Sequence, residues 1–222
     1  MKNYRIGVIR VLTTEDPALL NLHGELLERC FPIFKTVSRC IPDQPEGIHD
    51  AETEALAVPK IRALAREMCA EGFDALIISC AGDPAVDLCR AELPIPVGGG
   101  GRSTAALSMF YGDHPAALGI TEEIPVGYFS VFGDRCVGSA RGEGVNSTLD
   151  LMQPAGFAAS TAAAREQQQN GADVIALSCT GMSTIGIAPK LEKELGIPVL
   201  DPVLCEGLVT LLELLRREIA EK

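Results

Sequence analysis

Gly72-Phe73-Asp74-Ala75-Leu76-Ile77-Ile78-Ser79-Cys80-Ala81-Gly82 is answered 99 positions later by Gly171-Ala172-Asp173-Val174-Ile175-Ala176-Leu177-Ser178-Cys179-Thr180-Gly181. Five of the eleven positions are identical: Gly72/Gly171, Asp74/Asp173, Ser79/Ser178, Cys80/Cys179 and Gly82/Gly181. Between them lie short unbroken apolar runs, the pattern of a strand covered on both faces of a parallel sheet. Each copy continues through a helical stretch to a matching Ile-Pro-Val, at 95–97 and 197–199, and a looser echo sets Ile6-Gly7-Val8 against Leu118-Gly119-Ile120. Self-similarity on this scale predicts two four-stranded lobes related by a pseudo-two-fold axis. Ligands of open α/β sheets bind beyond the carboxyl ends of the strands, so a cleft between such lobes receives Cys80 and Cys179 together.

Along the whole chain β-branched runs alternate with helical patterns, which makes the class α/β. Strands are predicted at 5–12, 34–40, 75–79, 95–97, 116–121, 136–141, 173–178 and 198–200. Helices are predicted at 17–29, 50–71, 83–92, 104–111, 154–170, 187–195 and 206–220. The last places Leu208, Leu211, Leu212, Leu215 and Ile219 on one face, read as core. Lobe 1 is assigned to 1–100, with a C-terminal helix at 204–222 packing back on it or on another subunit, and lobe 2 to 101–203.

The 222 residues carry 19 Lys+Arg against 30 Asp+Glu, a net charge of −11, with 47% apolar residues. That composition can bury a core and lacks the cationic surplus that nucleic acid or an anionic membrane requires. No apolar run approaches the ~18 residues of a membrane span. The opening residues read as a strand, with no basic segment or long apolar stretch of an export signal, so the expected location is cytoplasmic. The expected partner is a small-molecule substrate, with a homo-oligomer as the assembly. Eight cysteines without a CxxC pair, and three histidines scattered at 23, 49 and 114, argue for free thiols and against a local zinc site.

Each repeated cysteine stands where an apolar strand ends, before a small residue, a glycine and a helical pattern that Asp83 or Ser183 can cap and Pro84 can open. A thiol at a helix N-terminus meets unpaired N–H groups and the positive end of the dipole, which lower its pKa from ~8.5 toward 7 or below. The same N–H groups, at Ala81, Gly82, Thr180 and Gly181, can take up negative charge on a ligand oxygen. Two acid/base groups on opposite faces of one pocket are what stereoinversion next to a carbonyl needs. No cofactor is expected, since the chain has no dinucleotide GxGxxG after its first strand, no GxxxxGK[ST], and no lysine in either cysteine motif. A disulfide between the pair, or a packing role for both, is the alternative.

Ser-Cys-Ala-Gly-Asp-Pro-Ala (79–85) and Ser-Cys-Thr-Gly-Met (178–182) resemble the two cysteine motifs of the cofactor-independent aspartate/glutamate/hydantoin racemase superfamily, most closely its hydantoin and allantoin racemase branch. The resemblance covers nearly the whole chain. It implies two Rossmann-like lobes and Cys80 and Cys179 as paired acid and base, acting on a 5-substituted hydantoin or a similar molecule. It also implies a ligand-facing hydroxyl at Thr121, which is otherwise a helix cap. The chain departs from the branch after the first strand, where Arg10-Val11-Leu12-Thr13 stands in place of Asn-Pro-Asn-Thr. An amino-acid racemase or a maleate-type cis–trans isomerase of the same superfamily is the near alternative, and a non-catalytic binding protein the distant one. The amino-acid branch carries Cys-Thr-Glu at its second motif; here Met182 brings apolar surface instead.

Arg10, at a strand end, is either a carboxylate clamp or half of a salt bridge. Gly98-Gly99-Gly100-Gly101 reads as a flexible turn between lobes or along the cleft, since it lacks the lysine of a phosphate loop. His49 and His114 read as surface or turn residues, and the six other cysteines as packing.

Overall fold

In the computed structural model, residues 2–220 are described. Strands β1 (Tyr4–Arg10), β2 (Phe34–Cys40), β3 (Ala75–Ser79) and β4 (Val97–Gly99) alternate with helices α1 (Pro17–Cys30), α2 (Ala51–Ala70) and α3 (Val86–Glu92). Helix α4 (Gly100–Ser108) leads to β5 (Pro115–Gly119), α5 (Val126–Phe132), β6 (Gly138–Arg141), α6 (Thr148–Leu151) and α7 (Pro154–Gln169). The chain ends through β7 (Val174–Leu177), α8 (Gly181–Thr184), α9 (Ala188–Leu195), β8 (Val199–Leu200) and α10 (Pro202–Ala220). The two sheets are wholly parallel and repeat one order, β2-β1-β3-β4 and β6-β5-β7-β8.

The repeated residues have structural reasons. Gly72 and Gly171 take φ of 80° and 103°, a left-handed turn that a side chain resists, and each delivers the chain from a helix to a central strand. Asp74 accepts from the Arg5 N–H at 2.7 Å, and Asp173 accepts from the His114 N–H at 2.8 Å, so each aspartate pins the start of the neighbouring strand. The looser echo is misaligned, however. Gly7 stands opposite Leu76, and the repeat partner of Leu76, Ile175, stands opposite Ala116, three residues before Gly119.

One face of the first sheet packs Ile9, Leu76 and Ile78 on Ile61, Ala65 and Met68 of α2. The other packs Tyr4, Ile6, Val8 and Ile77 with Leu27 of α1 and Val203 and Leu214 of α10. The second sheet sets Ala116, Leu118, Ile175 and Leu177 against α7 and α9, and Ala117 and Ala176 against Ala105, Tyr128 and Phe132.

Most of the leucine stripe of α10 is not core: Leu212 is 64% and Ile219 73% exposed, while Leu211 packs against the first lobe's core. Its buried face is Val203, Glu206, Gly207, Thr210 and Leu214, because α10 approaches α1 so closely at Gly207 that an added Cβ would stand 2.5 Å from the Phe31 ring. The four glycines at 98–101 are likewise no flexible turn. They are buried, two in β4 and two in the first turn of α4, where a Cβ on Gly101 would lie 2.5 Å from the Ala81 carbonyl. Cys30 is exposed, against its reading as a packing residue, whereas Cys89 and Cys205 are buried.

Candidate active site

A cleft of about 690 Å³ opens at the carboxyl ends of both sheets. It is lined by every residue assigned to the site from sequence: Cys80, Cys179, Arg10, Ala81, Gly82, Thr121, Thr180 and Gly181. A parallel strand delivers its C-terminal residue and the following turn to one edge of the sheet, so β3 and β7 bring their Ser-Cys turns to the same place.

The turns differ in detail. After Cys80 the chain makes a tight turn through Asp83 (φ 55°) and Ala85 (φ 59°) before α3 begins at Val86. Asp83 and Pro84 therefore do not open α3. Asp83 instead accepts from the N–H groups of Gly101 and Arg102, both at 2.7 Å, and caps α4. After Cys179, α8 starts at once with Thr180 as N-cap, and Ser183 lies inside it, donating to Asp201 at 2.8 Å. Met182 is fully buried beneath the second sheet rather than in the cleft.

Both thiols are pushed up from their ordinary pKa, against the sequence expectation, because burial penalises the thiolate more than the turn N–H groups reward it. At Cys80 the Gly82 N–H pulls the other way. At Cys179 the Thr148 hydroxyl, with Sγ at 3.7 Å, and the N–H groups of Gly181 and Met182 do so.

Arg10 lines the cleft and forms no salt bridge among the described residues: its Nη1 donates to the carbonyls of Leu19 and Leu20 at 2.8 and 3.1 Å, and burial lowers its pKa to about 10. Thr121 lies two residues beyond β5 and donates to the Glu123 carbonyl at 2.9 Å, so it caps no helix. His49 is half-buried at the cleft wall beside Asp50, while His114 is exposed on Asp173. Sequence reasoning missed Thr148, which sits in a loop-rich stretch with no repeat partner, and His23, whose bonds span more than 50 residues.

Two cysteines at the ends of matched strands thus line one cleft. The chain belongs to the Asp/Glu/Hydantoin racemase family, whose pattern matches residues 22–206, and is an enzyme of the isomerase class. It is similar to a hydantoin racemase of Rhizobium meliloti, at 26% identity over 172 residues, 72% of this chain and 68% of the relative. A hydantoin racemase of Paenarthrobacter aurescens is 29% identical over 136 residues, 59% of this chain and 57% of its own length. The fold superposes on the allantoin racemase of Pseudomonas fluorescens with a TM-score of 0.80 at 23% identity, covering 96% of this chain and 92% of the other.

Proposed function

We propose that the protein racemises 5-substituted hydantoins, or a related cyclic amide, by proton transfer between Cys80 and Cys179 without a cofactor. The observation that carries this reading is that both repeat cysteines line one cleft, Cys80 with one turn N–H beside it and Cys179 with two. One thiolate takes the proton from the carbon next to the carbonyl, and the C–H electron pair moves into the carbonyl to give an enolate. The opposite thiol then delivers its proton to the other face of that carbon, which leaves the first cysteine protonated and the second as thiolate. The reverse reaction exchanges the roles. Burial makes each thiolate scarce but strongly basic, which suits a weakly acidic carbon.

The cleft wall argues for a ligand without a second carboxylate. It carries Asp50, Glu54, Glu122 and Glu123 against Arg10, Arg141 and His49. Of the two guanidiniums, Arg10 is engaged by backbone carbonyls, and Arg141 by Glu122 at 2.6 Å and by Asn146.

The test is net inversion by polarimetry across hydantoins and amino acids, with Cys80→Ala and Cys179→Ala assayed beside wild type and circular dichroism confirming their fold. Each variant is expected to lose inversion by about 1,000-fold, since removing one acid/base group costs 10²–10⁴-fold. Either variant inverting at the wild-type rate would sink the two-thiol mechanism.

A further inference from the structure

Behind the cysteine turns runs a chain of buried polar side chains that the reaction does not itself consume. His23 of α1 is fully buried; its Nδ1 lies 2.9 Å from Ser79 Oγ and its Nε2 lies 2.9 Å from Thr184 Oγ1. Ser79 donates to Oε1 of the fully buried Glu206 at 2.5 Å. Ser79 directs its proton at Glu206, Thr184 also donates to the Thr180 carbonyl at 3.4 Å, and the His23 ring bridges the two hydroxyls. Thr180 adds a second link, donating to the Ser79 carbonyl at 3.3 Å.

Ser79 immediately precedes Cys80, and Thr184 closes the four-residue helix whose first N–H groups face Cys179. We propose that His23 is a positioning residue that ties the Cys80 turn to the Cys179 turn and so sets the spacing of the two thiols. The tie is built into one half only: Ser178, the repeat partner of Ser79, has a buried hydroxyl with no partner among the described residues. A carbon that must lie within reach of a thiol on either face tolerates little change in that spacing, and a misplacement of about 1 Å can cost 100-fold in rate.

This inference rests on the two-thiol reading, and its readout is chosen to separate the two. Full-length protein is incubated in heavy water with one enantiomer of 5-benzylhydantoin. Deuterium entry into the unreacted enantiomer is followed by NMR, and inversion by polarimetry. One-face exchange needs a single thiol, whereas inversion needs both in register. For His23→Leu we expect KM within about twofold of wild type, inversion kcat reduced at least tenfold, and the ratio of exchange to inversion raised at least fivefold. Thr184→Val, which cuts one end of the tie outside the cleft wall, should shift the ratio the same way by a smaller factor, and it carries the test should His23→Leu not fold. Exchange and inversion falling in equal proportion, or an unchanged ratio in a wild type that inverts, overturns the positioning role of His23 alone. Wild-type protein that neither exchanges nor inverts any hydantoin overturns the two-thiol reading and this proposal with it.

Discussion

Thr148 Oγ1 lies 3.7 Å from Cys179 Sγ, and among the described residues no hydroxyl stands in that relation to Cys80. The two thiols, matched in sequence, are therefore electrostatically unequal. Cys179 has one side-chain and two backbone partners that favour its thiolate, while Cys80 has one backbone N–H and further feels the charges of Cys179, Asp83 and Glu54 against ionisation. On the two-thiol reading, Cys179 is therefore expected to ionise more readily than Cys80. Thr148→Val should reduce the rate at which iodoacetamide alkylates Cys179 about threefold to tenfold and leave Cys80 unchanged, as read by peptide mass spectrometry. The range corresponds to roughly 0.7–1.4 kcal/mol when converted at RT, the net worth of one ordinary hydrogen bond. Unchanged labelling of Cys179 would remove the assigned role of Thr148.

The glycines at the start of α4 give a stability prediction. A methyl group on Gly101 would meet the Ala81 carbonyl at 2.5 Å and the Asp83 carboxylate that caps the helix at 2.8 Å. Neither neighbour is the free end of a flexible chain, so Gly101→Ala should cost about 1–3 kcal/mol, as overpacking of a close contact does. Chemical denaturation should show a lowered midpoint at unchanged slope. A variant as stable as wild type would mean that the α4 terminus and the Cys80 turn part easily.

The two sheets were legible because doubly covered parallel strands are written as apolar runs and because the runs recur. The cleft was legible because both Ser-Cys turns end such strands. Gly98–Gly101 was not, since glycine that permits close packing and glycine that permits a turn are the same letter. The buried face of α10 misled for the opposite reason. It uses Glu206, Gly207 and Thr210, which read as polar or helix-weakening, while Leu208 and Leu212 face outward. Thiol acidity was misjudged because helix ends can be read from sequence and desolvation cannot. The links Ser79–His23 and Ser79–Glu206 join residues 56 and 127 positions apart and leave no local pattern.

Acidification should weaken the fold partly through His23. Its pKa is held well below the ordinary value, first by complete burial and then by the charge of Arg10. The unfolded chain takes up this proton near pH 6.5, and the folded chain only at lower pH. The stability tied to neutral His23 is thus complete above that value and lost as pH falls. Glu206, facing it through Ser79, acts in the opposite sense, because burial raises its pKa and favours the protonated fold. The melting temperature should fall between pH 7 and 5 more steeply in wild type than in His23→Leu. Identical slopes would show that this histidine is not linked to folding.

Substrate preference follows from which charges in the cleft are already spent. Arg10 gives its Nη1 to two carbonyls, Arg141 is paired with Glu122, and Asp50 is committed to capping α2 through Thr53. Glu54 lines the same wall, acts electrostatically on Cys80, and has no side-chain partner among the described residues. Aspartate or glutamate would carry a second carboxylate into a field where, among the described residues, Arg141 is already paired and Arg10 is held by backbone carbonyls, and would lose hydration on entry. A neutral 5-alkyl or 5-benzyl hydantoin meets no such penalty. Its kcat/KM should exceed that of aspartate and glutamate by about 100-fold or more, a difference of roughly 3 kcal/mol in transition-state stabilisation. Glu54→Gln should then narrow the gap between a carboxyalkyl and an alkyl hydantoin while leaving the alkyl compound within about threefold. Polarimetry that finds rapid racemisation of aspartate or glutamate and none of the hydantoins would reverse the assignment and return the protein to the amino-acid branch of its family.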